Sequence, residues 1–297
     1  MVQPEGTPPS RSVIVVTAEL PGELRRCLAA IVPQLDAASD EIIVADGSSL
    51  GLVREGTAGT HGEPAIRVLH RPHTSLEVMR DAAVRLSTGD IVLFTEAHME
   101  PAPDWVDRLT AAHLAAPHAA VIGGSIAPGP RLTSRGRALF TCEYAMVSAP
   151  LPDGGIAAVS AANVSYKRTS VAAPPAPYQW DAMLHHRHAQ PTLRACDARV
   201  QFVDGYTNRS ALAMRFAYGR AFAARRPFTW PRRALYAAGC ACLPVLALMR
   251  ARRRPRPQGM PRTTVGELVW VVALLVAWAA GEAVGYVAGP AGREQMW

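Results

Sequence analysis

Short aliphatic runs set at helix-length intervals constrain this chain more than any other feature of its sequence. Residues 12–17 (SVIVVT), 41–46 (EIIVAD) and 91–94 (IVLF) are too short for core helices and apolar on both faces. That is the pattern of strands buried in a parallel sheet. Residues 66–70 and 119–124 read as two further strands. Between the runs the periodicity becomes helical. Leu24, Cys27, Leu28 and Ile31 make one apolar stripe, and Leu76, Met79, Ala83 and Leu86 a second, stopped at Thr88-Gly89. Trp105, Leu109, Ala112 and Ala116 make a third, opened by Pro103-Asp104. The β-α-β-β-α-β-α-β alternation predicts an α/β domain whose mostly parallel sheet is covered on both faces.

With 297 residues, 49% of them apolar, the chain can bury a sizeable core, which excludes a disordered or disulfide-stapled miniprotein. Its charge is lopsided: residues 211–297 carry thirteen arginines against three glutamates, while the first 210 residues are mildly acidic. A basic, apolar tail behind an acidic body fits a membrane surface. A nucleic-acid partner would need basic residues and aromatics interleaved on the body, and is excluded. The five cysteines form no C-x-x-C pair and read as thiols of a reducing compartment. The polar, proline-rich start (MVQPEGTPPSRS) has no apolar leader segment, so the body is expected in the cytoplasm.

Parallel sheets bind ligands beyond the carboxyl ends of their strands. At those ends stand Thr17 with Glu19, Asp46 with Ser48, Arg71, and Glu96 with His98. This is the polar inventory of a nucleotide-diphosphate site with a metal. No G-x-G-x-x-G follows the first strand and no G-x-x-x-x-G-K-[ST] occurs, which removes the main support for dinucleotide and P-loop readings.

Three segments in order, SVIVVTAELPGELRRCLAAI, DEIIVADGSS and MRDAAVRLSTGDIVLFTEAHMEPAPDWVDRL, resemble the inverting family 2 glycosyltransferases of the GT-A fold. The likeness covers roughly residues 12–220 and includes Gly123-Gly124, AANVSYKR (161–168) and Trp180-Asp181. It implies a GT-A-like nucleotide-diphospho-sugar transferase fold and transfer of a sugar, with inversion, from a nucleotide-sugar donor to an acceptor hydroxyl. It also implies a divalent metal, Mn²⁺ or Mg²⁺, bound at the donor's diphosphate. The family's Asp-x-Asp is here Glu96-Ala97-His98, so Glu96 and His98 are the expected metal ligands, with imidazole favouring Mn²⁺ over Mg²⁺. Asp204, the expected third metal ligand, stands where the family often has a His that contacts the metal or a phosphate. Asp181 matches the family's general base, with Glu143 in reserve. Thr17, Glu19, Asp46, Ser48, Arg71, Arg80 and Asn163 are the expected substrate contacts. The alternative is a non-catalytic, membrane-bound nucleotide-sugar-binding protein with a degenerate metal site. His185, His186 and His188 read as a solvated helix face, since adjacent helical residues point about 100° apart.

Two apolar stretches follow, 234–249 and 268–289, separated by arginines. The first is expected to dip into or lie along the cytoplasmic membrane face and the second to span or re-enter. The organisation expected is a flexible arm over 1–11, a GT-A domain over 12–224 and membrane-associated helices over 225–297. An acceptor carried on a lipid is the companion expectation.

Overall fold

A computed structural model describes residues 8–17, 21–49, 51, 64–72, 74, 76–149, 151, 159–171, 193–252 and 256–289. The strands are β1 (Arg11–Thr17), β2 (Glu41–Asp46), β3 (Ala65–His70), β4 (Ile91–Glu96), β5 (Met99–Pro101), β6 (Val121–Pro128), β7 (Asn163–Lys167) and β8 (Leu193–Phe202). The helices among the described residues are α1 (Pro21–Ile31), α2 (Leu76–Leu86), α3 (Trp105–Ala115), α4 (Ser134–Glu143), α5 (Arg168–Val171), α6 (Asn208–Ala224), α7 (Trp230–Gly239), α8 (Leu243–Arg252) and α9 (Val265–Ala288). Contacts divide the chain into two compact units. One comprises Met1–Pro72, Leu76–Ile126 and Ala149–Gln201, and the other His73–Ser75, Ala127–Ser148 and Phe202–Trp297. This differs from the expected boundary at 224, because α4 and α6 group with the C-terminal helices.

One sheet runs β3-β2-β1-β4-β7-β6-β8-β5. The expected parallel half is β3-β2-β1-β4; β7 enters antiparallel between β4 and β6. Ile14, Val16, Ile43, Ala45, Val92 and Phe94 from the parallel strands pack with Met79, Ala83 and Val84 of α2 to make the core of the first unit. The tight turn into β4 needs Gly89: a Cβ there would lie 2.6 Å from the backbone of Arg11 and Ser12.

Two polar side chains tie the antiparallel half together. Asn163, fully buried, donates its amide to the carbonyls of Ser125 (2.9 Å) and Ala198 (3.1 Å) and accepts from the Trp105 indole at 2.8 Å. Gly124 leaves room for it, since a Cβ there would overlap the Ala198 carbonyl and the Asn163 amide. The second tie corrects the expected face of α3. His113, rather than Ala112 and Ala116, turns inward and sets Nε2 3.0 Å from Ser165 Oγ, while Leu114 is 63% exposed. A polar partner on β7 outweighs the hydrophobic ranking of the neighbouring positions. Burial, and secondarily Lys167, push the His113 pKa down to about 4.

The second unit is knit by close helix packing. A Cβ on Gly219 of α6 would overlap the Trp278 carbonyl, and one on Gly281 or Gly285 of α9 the carbonyls of Phe216 or Arg220. Small residues spaced four apart thus let α6 and α9 run backbone against backbone, as in G-x-x-x-G crossings. Phe228, Tyr236 and Tyr286 cluster where α7 meets α9, with ring centroids 4.7 to 6.2 Å apart.

His113 makes the fold acid-sensitive. As pH falls below 6.5 the unfolded imidazole takes up a proton that the folded one refuses until about pH 4, so the associated stability is complete above 6.5 and lost towards 4. His113→Gln, which does not titrate, should lose up to about 3 kcal/mol less than the parent across that window, read by denaturant melts at successive pH values. Asn163→Ala strands an indole N–H and two carbonyls in the interior. It should lower stability by about 3 kcal/mol or more, visible as a drop in thermal midpoint.

Candidate active site

The parallel register brings the expected residues of β1 and β2 to one edge. Thr17 pairs with Asp46, and Asp46 with His70 of β3. Beyond the strands Gly47 N donates to the Thr17 carbonyl at 3.0 Å and Arg71 N to the Asp46 carbonyl at 2.8 Å. Asp46 is fully buried, and its Oδ1 accepts the Ser48 amide at 2.9 Å, an Asx turn that bends the chain after β2. Thr17 Oγ1 and Ser48 Oγ are buried hydroxyls with no hydrogen-bond partner. Two such oxygens beside a buried carboxylate are suited to a ligand's polar edge, because an unpaired buried hydroxyl is costly. The Arg71 side chain is exposed. Glu19 lies outside the described residues.

His70 was not anticipated by the motif reading. Its Nε2 donates to the Ser48 carbonyl at 2.9 Å, and its ring packs against Gly51, which sits at φ +71°. The available signal was positional, since His70 is the last residue of a strand in register with Asp46.

The second part of the edge is built on β4. Its last residue, Glu96, lies level with Val16, and Ala97 N donates to the Val16 carbonyl at 2.9 Å. Glu96 shares out its two oxygens: Oε1 pairs with Arg80 Nη2 of α2 at 2.5 Å, and Oε2 lies 3.3 Å from His98 Nε2. Arg80 and His98 are both buried. Donor atoms at right angles around one divalent ion are about 3 Å apart, so Glu96 Oε2 and His98 Nε2 fit two positions of such an ion. Among the described residues no group of three or more His, Cys, Asp or Glu gathers to hold a metal.

Three expected contributors are engaged elsewhere. Asn163 spends both amide hydrogens and its oxygen inside the fold. Asp204 belongs to the second unit, where its Oδ2 accepts from Thr133 Oγ1 and Arg135 Nη2, each at 3.0 Å. Glu143, the reserve base, is ion-paired with buried Arg215. Asp181, with Trp180 and the three neighbouring histidines, lies outside the described residues.

Comparison with known proteins agrees with this layout. The Escherichia coli (strain K12) protein described as uncharacterized glycosyltransferase YibD is 28% identical over 98 residues, 33% of this chain and 28% of that protein. The chain thus spans about a quarter of that relative's length. Mannosyltransferase PcManGT from Pyrobaculum calidifontis, solved with GDP-Man and Mn²⁺, superposes with a TM-score of 0.56 at 21% identity over 93% of this chain and 87% of that one. Glucosyl-3-phosphoglycerate synthase from Mycobacterium tuberculosis gives 0.48 at 16% identity, over 69% and 74% of the two chains. Residues 12–165, more than half the chain, match the model of Glycosyl transferase family 2. Its sheet is GT-A-like, and the chain belongs to glycosyl transferase family 2.

Proposed function

We propose that the protein transfers a sugar, with inversion, from a nucleoside-diphosphate sugar to an acceptor hydroxyl at the cytoplasmic face of a membrane. The observation that carries this reading is the facing pair Glu96 Oε2 and His98 Nε2, 3.3 Å apart, at the strand edge that also holds Asp46 and the unpartnered hydroxyls of Thr17 and Ser48. Thr17, Glu19, Asp46 and Ser48 take the nucleoside, with exposed Arg71 at its rim. Glu96 and His98 hold the divalent ion, whose chemistry when bound is to neutralise charge on the departing diphosphate. Arg80 orients Glu96 through their ion pair and adds a fixed positive charge to the same place. Asp181 accepts the proton of the acceptor hydroxyl as its oxygen attacks the anomeric carbon, and the nucleoside diphosphate leaves from the opposite face. Asp204, already fastened to Arg135, is assigned the anchoring of α4. GDP-mannose, the ligand in the PcManGT structure, heads the donors to screen by thermal shift. The two apolar helical stretches, Trp230–Met249 and Val265–Ala288, support a membrane location and with it a lipid-carried acceptor.

Donor turnover should cease in EDTA and return with Mn²⁺ at least as well as with Mg²⁺. His98→Ala should abolish the metal response and most turnover, while His98→Asp should keep it and shift preference towards Mg²⁺. Full activity in EDTA would remove the metal from the reading.

Asp181→Asn keeps the side chain's size but cannot take a proton. Its kcat should fall about a hundredfold or more with donor Kd nearly unchanged, measured by single-turnover transfer and calorimetry. A collapse of donor affinity instead would make Asp181 a binding residue.

A further inference from the structure

The second unit leaves an apolar surface uncovered. Trp230–Met249 and α9 are each long and apolar enough to cross a bilayer. Yet α9 is fastened to polar partners at its start, in its C-terminal half and at its end. At its start Glu267, almost completely buried, accepts from Arg137 at 3.2 Å and from Arg256 at 3.1 Å. At its end the Gly289 carbonyl accepts from Arg220 Nε at 3.1 Å. Towards its C-terminal half buried Glu282 takes the Trp278 indole N–H, and the Arg215 guanidinium, paired with Glu143, stacks 4.4 Å from the Trp278 ring centroid. α6, pressed against α9 through the glycines, carries Arg209, Arg215 and Arg220. A crossing α9 would draw this arginine-bearing helix into hydrocarbon and place the arginines holding its two ends in opposite water phases.

The outward faces are of another kind. Val265, Val269, Val272, Val276 and Val287 form one exposed stripe of α9, Val265 being 82% exposed. Trp230, Leu235, Tyr236, Val245, Leu246 and Met249 are exposed along the other stretch. The two carboxylates of residues 208–289, Glu267 and Glu282, are both turned inward, whereas Arg225, Arg232 and Arg262, which flank the two apolar stretches in sequence, are exposed. An apolar face rimmed by cations, with Trp and Tyr among its exposed residues, has the chemistry of the headgroup–acyl boundary of an anionic membrane.

We infer that the C-terminal unit is a monotopic docking surface for an anionic bilayer. Trp230–Met249 and the valine stripe of α9 lie in the boundary region parallel to the membrane plane, and neither helix crosses. The inference rests on the membrane reading above and specifies its geometry.

The test uses the full chain with Cys142, Cys196 and Cys242 replaced by Ala and single spin labels at Val265→Cys, Val276→Cys or Val287→Cys. These positions are eleven residues apart and so share a face. Flotation with vesicles of phosphatidylcholine alone and with about 30 mol % phosphatidylglycerol should show binding to the anionic vesicles, at least tenfold weakened by high salt or by Leu235→Glu with Val245→Glu. Oxygen and nickel-chelate accessibility should then give one shallow depth for all three labels. A central label about 16 Å deeper than the outer two would show a crossing helix, overturning the in-plane geometry while leaving the membrane reading intact. Absence of flotation, with light scattering showing a dimer in its place, would overturn both and assign the face to a second copy of the chain.

Discussion

The register of β1 against its two parallel neighbours is the constraint from which the edge holding the candidate site follows. Thr17 ends level with Asp46, and Val16 with Glu96, so three sequence-distant carboxyl ends are placed within reach of one ligand by backbone hydrogen bonds alone. A slip of one residue in either ladder would exchange the two buried faces of the sheet, setting Val13 and Val15 against α2 in place of Ile14 and Val16, and would carry Asp46 or Glu96 out of level with the end of β1. The hydrophobic core and the site therefore stand or fall together. The aliphatic residues that fill the core also fix where Asp46 and Glu96 stop.

Around that edge, polar side chains determine position where aliphatic packing cannot. Glu96 is held from both sides, by Arg80 from α2 and by His98 from the turn after β4, so its carboxylate cannot rotate without breaking an ion pair. On the antiparallel side Asn163 joins β7, β6, β8 and α3 through three bonds in the dry interior. Each tie acts where partial satisfaction would be expensive, which converts a permissive core into one with a single arrangement.

The parallel strands were legible because burial on both faces demands uninterrupted aliphatic runs, and helices α1 and α2 because their stripes are unbroken. What escaped the sequence depended on partners remote along the chain. β5 has three residues, too few for a period. The inward turn of His113 is set by Ser165, and the structural engagement of Asn163 by Ser125, Ala198 and Trp105. A strand asparagine looks the same in sequence whether it faces a ligand or a carbonyl. Asp204 showed the same ambiguity until Thr133 and Arg135 were found on it. The apolar character of α9 was plain from its composition, but the two-sided nature of the helix was not, because Glu282 in isolation reads as a flaw in a span and only Trp278 reveals it as a seated group.

The second unit is assembled from a short inner loop of chain, Ala127–Ser148, and a long terminal one, Phe202–Trp297. The chain leaves the first unit, returns to it through β7 and β8, and leaves again. Removing α9 would bare Gly219 and its neighbours on α6 and strand Arg137 on α4 without its carboxylate. A truncation ahead of α9 would therefore disturb α4 and α6 as well as remove a helix, although α4 lies more than a hundred residues earlier in the chain.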